Sequence, residues 1–497
     1  MTHPTDHIRL LFGLKLRQLR LEKGLSVSEL AGRSGMAISY ISEIEKGRKY
    51  PKADKISGLA NALNVDYDTL VSLKVNKKLA PIADLLRSKF LTEIPLELFG
   101  IDPSDLIELL AEAPDKVSAM IRTFMDIALS YNMSVERLYL AMLRSYQEIN
   151  DNHFEDIEAD AVRFLDEFAP AGQRVDAGLL TNLLKTRYDV SLVLFDPIQQ
   201  PDLAQLRSVY KPESRTLHLN VSLSEAQKAY ILAREAGFHF LNLKNRPFTY
   251  AYVEADSFEQ ILNNFKASYF AGAVLIRRDA LVNRLTELFA RDTWSNEAFL
   301  DLIADFGATP ERFFYRLSNV LPRDFGIDQL FFYRINNTPG QTIFSLTKEM
   351  HLSRQQGPRG MVDEHFCRRW VALTILQELG FRQVHSDFGG SLCQAQRSTY
   401  ADTGNEFLII SVAHPHRSDK VSNAGQNMSV SMCFAVNDTL RSKMRFLNNP
   451  DAGIPSRTVN EACERCGIFD CRERVAQPIL LQKKRQIDSM KAAVDRL

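Results

Sequence analysis

No stretch of eighteen or more apolar residues occurs in this 497-residue chain, and no apolar segment follows a basic start. Neither a membrane-spanning helix nor a secretion leader is expected, and the chain reads as cytoplasmic with no membrane partner. Net charge is lacking as well, since 61 Lys and Arg face 61 Asp and Glu. A protein that coats a polyanion along its whole surface would not be so balanced. Cysteine is absent before Cys367, and five of the six cysteines follow residue 390. That clustering is not the evenly spread set of a secreted disulfide scaffold, and it points instead to a metal or redox site. The rest is ordinary for a folded chain, with 45% hydrophobic residues and a length that suits roughly three domains.

Residues 13 to 72 separate into buried and exposed positions as a five-helix module. Arg17, Arg20 and Lys23 lie on a first helix ending at Gly24. Ser26-Val27-Ser28-Glu29 then gives the S-x-x-E capping pattern at the start of a helix to Arg33. Gly35 suits a left-handed turn. The next helix, near Ala37 to Lys46, turns Ile41 and Ile44 inward and Ile38, Ser39, Ser42 and Glu43 outward.

Leu16 to Arg20, Ser28 to Ala31, Gly35, Ile41 to Gly47, Pro51 and Leu59 to Val65 together resemble the XRE/Cro-type helix-turn-helix family. The resemblance implies that Ile38, Ser39, Ser42 and Glu43 approach base edges of double-stranded DNA. It also places Ser26, Lys46, Arg48 and Lys49 at phosphates, and it makes Arg20 and Glu45 an internal ion pair. Ala37 departs from the family by standing where a Ser or Thr cap is usual. Twelve Lys and Arg against eight Asp and Glu in residues 1 to 75 give the local positive surplus that phosphate binding uses.

From Pro81 to about Phe168 apolar pairs such as Leu85-Leu86, Leu109-Leu110 and Phe124-Met125 recur at helical spacing. This connector could pair two subunits or pack on its own chain. A homodimer or higher homo-oligomer is expected, because two half-sites give the specificity that one small module rarely supplies.

Residues 171 to 276 change character. Val190 to Phe195, Arg207 to Tyr210 and Thr216 to Leu219 read as strands of a small antiparallel sheet, followed by a helix from Ser224 to Leu241. Ala229 to Phe238 resembles the zinc helix of the ImmA/IrrE-type metallopeptidases, whose motif is H-E-x-x-H. Arg234 and Phe238 stand at the two histidine positions, and the alignment puts Asn264 at the third ligand position. None of the three is a good zinc donor. Glu235 alone survives, and His239 does not restore a ligand set. No catalytic residues are expected, and the region reads as a former enzyme cleft open to a small molecule.

After a helical stretch ending near Phe332, the chain carries Cys463-x-x-Cys466-x4-Cys471. Such spacing lets thiolates converge on one ion, with Cys433, in the strand-like Met428 to Cys433, as the fourth ligand. Buried, unconnected thiols are the plainer alternative.

An XRE-type module, a helical span, a degenerate ImmA/IrrE-like region and an end with Cys367-x-x-Trp370 and the three-cysteine motif together resemble the short-chain fatty acyl transcriptional regulators of the PrpR/RamB group. The fold class expected is mainly α with α+β: a helix-turn-helix domain at 1–75, a helical connector at 76–168, a degenerate zincin-like ligand-sensing domain at 169–345 and a cysteine-containing regulatory domain at 346–497. The resemblance implies a non-enzymatic regulator that senses a short-chain acyl-CoA and carries a 4Fe-4S cluster, with structural zinc as the alternative. Arg187, Arg215 and Tyr269 are the candidates for the CoA ester. Cys367 and Cys393 are expected to serve packing. A regulatory metalloprotease and a toxin-antitoxin module without a small ligand stay as rival readings.

Overall fold

The computed structural model describes residues 4–72, 135–169, 174–203, 206–247, 257–351, 364–386, 388–415 and 425–496. Most of the expected connector, including Leu85, Leu109 and Phe124, lies outside them. The chain forms two compact units, residues 1–146 with 255–258, and residues 147–254 with 259–497.

The first unit opens with the five expected helices: α1 (Pro4–Glu22), α2 (Val27–Ser34), α3 (Ile38–Glu45), α4 (Ala53–Leu63) and α5 (Tyr67–Val71). Leu16, Leu30, Ile41, Ile44 and Leu59 are fully buried and form its core. The capping box is present, with Glu29 N donating to Ser26 Oγ at 3.1 Å and Ser26 N donating to the Glu29 carboxylate at 2.7 Å. Gly35 ends α2 at φ 65°, the left-handed backbone that glycine adopts without steric cost. Gly13 serves a different need. A Cβ there would stand 2.3 Å from the Ile44 carbonyl oxygen, so its absence lets α1 cross α3 closely. The described part of the expected connector is α6 (Val135–Ile149) and, in the second unit, the helix Glu155–Phe168.

The second unit begins with α7 (Glu155–Phe168) and α8 (Ala177–Tyr188). Then come β1 (Ser191–Phe195), β2 (Ser208–Lys211), β3 (Thr216–Asn220) and α9 (Glu225–Phe240), whose N-terminus is a second capping box at Ser224 and Gln227. The small sheet has the order β1-β3-β2 and is mixed, not antiparallel as expected. A tight turn makes β2 and β3 antiparallel, whereas the long stretch from 196 to 207 lets β1 lie parallel on the far edge of β3. The helices α10 (Phe258–Leu275), α11 (Arg278–Phe289), α12 (Asn296–Asp305) and α13 (Pro310–Val320) follow.

A six-stranded sheet completes the unit, in the order β5-β4-β8-β7-β6-β9, from β4 (Leu330–Asn337), β5 (Phe344–His351), β6 (Leu392–Tyr400), β7 (Glu406–Pro415), β8 (Asn427–Ala435) and β9 (Ser456–Val459). Its strands alternate with period two between two cores. Leu330, Phe332, Leu408, Ile410, Val430 and Met432 face α11 to α13. Phe331, Tyr333, Phe407, Ile409 and Cys433 face the opposite way, against α14 (Val371–Ser386). The boundary expected between residues 345 and 346 therefore falls inside β5, and the helix expected to end near Phe332 stops earlier. Phe331 and Phe332 are strand residues that face the two different cores. The small helix α15 (Asp438–Lys443) and the terminal α16 (Ile479–Val494) finish the described chain.

Candidate functional site

Three regions carry the expected chemistry. On the helix-turn-helix, Arg20 is buried and its guanidinium grips both Glu45 oxygens, at 2.6 and 2.9 Å, while a third N–H reaches the Leu25 carbonyl at 2.8 Å. The pair fixes α1 against the end of α3 and leaves neither residue for a ligand. On the opposite side of α3, Ser39 is exposed, Ser42 and Glu43 are half-buried, and Ile38 is 54% exposed. Ala37 makes no side-chain cap bond, so the α3 N-terminus presents backbone N–H groups. Gly47, at φ 70°, turns the chain so that Arg48 N and Lys49 N both donate to the Glu43 carbonyl, at 2.9 and 3.2 Å. Arg48 and Lys49 are thereby held beside the exposed face, Arg48 lying 3.7 Å from the Glu43 carboxylate. Lys46 is half-buried at the end of α3, and exposed Ser26 accepts in its cap through Oγ, its own O–H remaining a donor for a phosphate.

In the middle region α9 is buried from Ala229 to Phe238, and Gly237 admits the Phe270 ring of α10, where a Cβ would lie 2.8 Å from its edge. The residues at the former zinc positions do meet. Arg234 donates to the Asn264 amide oxygen at 3.2 Å and lies over the Phe238 ring. Glu235 is fully buried, and the Arg246 guanidinium donates to both its oxygens, at 2.8 and 2.6 Å. Arg246 is itself flanked by Tyr210 at 4.0 Å and Phe238 at 4.2 Å. His239 Nε2 lies 3.1 Å from Glu235, and its ring stacks on Tyr188. Burial pushes the Glu235 carboxyl up, but the hydrogen bond with His239 and the Arg246 charge outweigh it and hold the group below the ordinary carboxylate range. The cation facing this carboxylate is thus an arginine. Motif reading did not single out Arg246, although a Glu on a helix buried without a metal requires some cation nearby.

Of the expected CoA residues, Arg187 and Arg215 lie by the C-terminal end of α8, and Tyr269 lies in a buried network. Arg187 is exposed on α8, and Arg215, in the β2–β3 turn, lies 3.6 Å from Asp189. Tyr269 is buried, donating its hydroxyl to Glu158 at 2.7 Å and accepting from Phe154 N at 3.3 Å. Arg316 closes that network on Glu158. A cleft of about 460 Å³ opens beside it, between α7 and α11. Glu155, Glu158, Asp166, Asp279 and Asp324 outnumber Arg277 and Arg278 on its walls, a poor match for phosphates.

At the cysteine-bearing end, an isolated bridge joins Phe366 to Ala462, with Cys367 N donating to the Glu461 carbonyl at 3.1 Å and Cys463 N to the His365 carbonyl at 2.9 Å. This pairing draws Cys367 toward Cys463 and Cys466. Burial raises the Cys367 thiol, and those two sulfurs add to the shift. Arg474 ties the loop by donating to the carbonyls of Cys463, Cys466 and Ile468, at 2.9, 3.1 and 2.7 Å. Ile468 N points at the Cys466 sulfur at 3.4 Å. Cys471 is half-buried, 3.6 Å from Glu473, which pairs with Arg369. Cys433, the expected fourth ligand, is fully buried in β8, and the Tyr333 hydroxyl meets its thiol. Cys393 points to the other core. The donor set suits a soft ion, yet among the described residues no three His, Cys, Asp or Glu side chains converge closely enough to hold one.

Residues 16–70 match the helix-turn-helix family, and residues 187–318 match the IrrE N-terminal-like domain. The chain is 26% identical to a propionyl-CoA carboxylase regulator of Cereibacter sphaeroides over 63% of its own length and 65% of that relative's, just under two thirds. It is 23% identical to the HTH-type transcriptional regulator PrpR of Mycobacterium tuberculosis, over 78% of this chain and 85% of that one. An HTH-type regulator of Sinorhizobium fredii is 40% identical over 13% of this chain and 84% of its own. With a helix-turn-helix followed by an IrrE-like region, the chain belongs to the XRE-type helix-turn-helix transcriptional regulators that carry an IrrE-like domain.

Proposed function

We propose that the protein is a cytoplasmic, dimeric regulator of short-chain acyl-CoA metabolism whose hold on its operator depends on a short-chain acyl-CoA. The observation that carries the reading is the Glu235–Arg246 pair, which puts a guanidinium against the one surviving protease residue and so favours a binding role over a proteolytic one for the IrrE-like region. A relative named for propionyl-CoA carboxylase supports the choice of effector. Ile38, Ser39, Ser42 and Glu43 read base edges, while Ser26, Lys46, Arg48 and Lys49 meet phosphates. Arg187 and Arg215 are exposed and open to the CoA phosphates, whereas Tyr269 is committed to Glu158. Electrophoretic mobility shifts with the chain's own promoter, with and without propionyl-CoA, test the proposal. DNA affinity indifferent to every short acyl-CoA would leave a plain helix-turn-helix module.

The C-terminal thiols form the second part of the proposal. Cys463, Cys466 and Cys471, with Cys367 in place of Cys433, are the thiols that would hold an iron-sulfur cluster, or zinc as the alternative, on drawing closer together than they lie here. Such a group supplies cross-linking bonds and, if it is iron-sulfur, a redox-sensitive centre. Arg474 orders the loop, and Ile468 N donates to a ligand sulfur. The pairing of residues 366 and 462 favours Cys367, because it runs the segment of that thiol beside the start of the motif.

A further inference from the structure

The Glu311 carboxylate, in the first turn of α13, is buried, and it is contacted by two cations of the six-stranded sheet and acted on by the charge of two more. Arg334 of β4 donates to both its oxygens at 3.3 and 3.2 Å, and Lys348 of the neighbouring β5 donates at 3.3 Å. These are long for charge-assisted bonds, which commonly lie at roughly 2.7 to 2.9 Å. Arg312, next to Glu311, and Arg207, just before β2, add their fields. Aromatic faces hold two of the cations in place, Arg312 lying 3.6 Å over the Tyr230 ring and Lys348 4.2 Å over the Tyr315 ring. Neutralising one buried carboxylate takes one cation, and bringing four to it sets the cations against one another. Water reaches the cluster, since the Arg334 and Lys348 side chains are 23% and 36% exposed.

We infer that Arg207, Arg312, Arg334 and Lys348 form a phosphate-binding site in which Glu311 is an internal stand-in anion, and that the site takes a phosphate group of the CoA ester proposed above as effector. The inference rests on that reading for the ligand's identity, and on the cluster for its position. Arg207 and Arg312 come from the IrrE-like region, whereas Arg334 and Lys348 come from the six-stranded sheet, so a bound phosphate bridges the two.

Calorimetric titration of the full chain with propionyl-CoA and with pyrophosphate tests it, using variants whose melting curves establish that they are folded. Lys348→Gln, the mildest change, and Arg312→Gln should each weaken binding of both ligands on the order of tenfold. Glu311→Gln should strengthen it, because the competing anion is gone while the shape is kept. A cluster with a purely structural role would not give opposite signs. If propionyl-CoA binds the wild type and none of the three variants changes its affinity, the site is wrong and the effector stands. Pyrophosphate bound with the expected signs, but no CoA ester bound, keeps the site and overturns the effector. No binding of either ligand overturns both.

Discussion

Arg246 closes on Glu235 as a fork on a carboxylate, both N–H groups within 2.8 Å of their oxygens, with two aromatic rings enclosing the guanidinium. The relationship reverses the usual role of a glutamate on such a helix. A base must be free to take a proton, and this one is held ionised by a permanent cation.

Glu235→Gln should therefore destabilise the second unit by about 2 to 4 kcal/mol, since it leaves Arg246 charged and buried without its counter-ion. Adding Arg246→Met should recover part of the loss. Urea denaturation followed by circular dichroism measures both, and a Glu235→Gln protein as stable as the wild type would remove the pair's structural importance. Neither variant should cleave peptides or hold stoichiometric zinc.

Acid should unfold the second unit early. Glu158, Glu235 and Glu311 are all held below the ordinary carboxylate range: burial opposes the shift in each, and Arg316, then His239 with Arg246, then Lys348 with Arg334 overcome it. A depressed carboxyl contributes its full stability above its unfolded value of about 4.3 and loses it as pH falls through the folded value. Denaturant midpoints should stay level from pH 7 to 5 and drop steeply below about pH 4. A flat midpoint down to pH 3 would contradict the ion pairs.

On DNA, Arg48→Ala should weaken binding to all sequences alike, and Ser39→Ala should change preference at one half-site position. Glu43→Ala should change preference as well but raise affinity for all sequences, because it releases Arg48 from a carboxylate 3.7 Å away. Arg20→Ala should instead lower the melting temperature of the module, as the buried Glu45 loses its bidentate partner. Binding to randomised operators at two salt concentrations separates these effects. Unchanged preference in both Ser39→Ala and Glu43→Ala would mean that another face reads the bases.

Anaerobically purified Cys466→Ser and Cys367→Ser proteins should lose bound metal, while Cys393→Ser and Cys433→Ser should keep it. Analysis for iron, sulfide and zinc decides between the two groups, and full metal in Cys367→Ser with loss in Cys433→Ser would restore the original fourth ligand.

The helix-turn-helix was legible because its helices are amphipathic, capped and short, so period and cap residues carry nearly all the information. The strands of the small sheet were legible too, but not the parallel pairing of β1 with β3, which depends on how far the stretch from 196 to 207 travels. β4 was missed for a related reason. Leu330, Phe331, Phe332 and Tyr333 are all buried, two facing each core, so no alternation distinguishes them from the helix that precedes them. Arg246 and Cys367 share another difficulty. Each is defined by a partner far along the chain, Glu235 in one case and the 462 segment in the other, and spacing is silent about such meetings.

The double-faced burial of β4 has a consequence for how this protein can be taken apart. Phe332 belongs to one core and Phe331 to the other, so any cut between the IrrE-like part and the sheet leaves both halves with a raw apolar face. Among the described residues no seam between them lets an experimenter exchange the IrrE-like part while keeping the cysteine-bearing end. The two should melt in a single transition, and whatever tightens one must tighten the other.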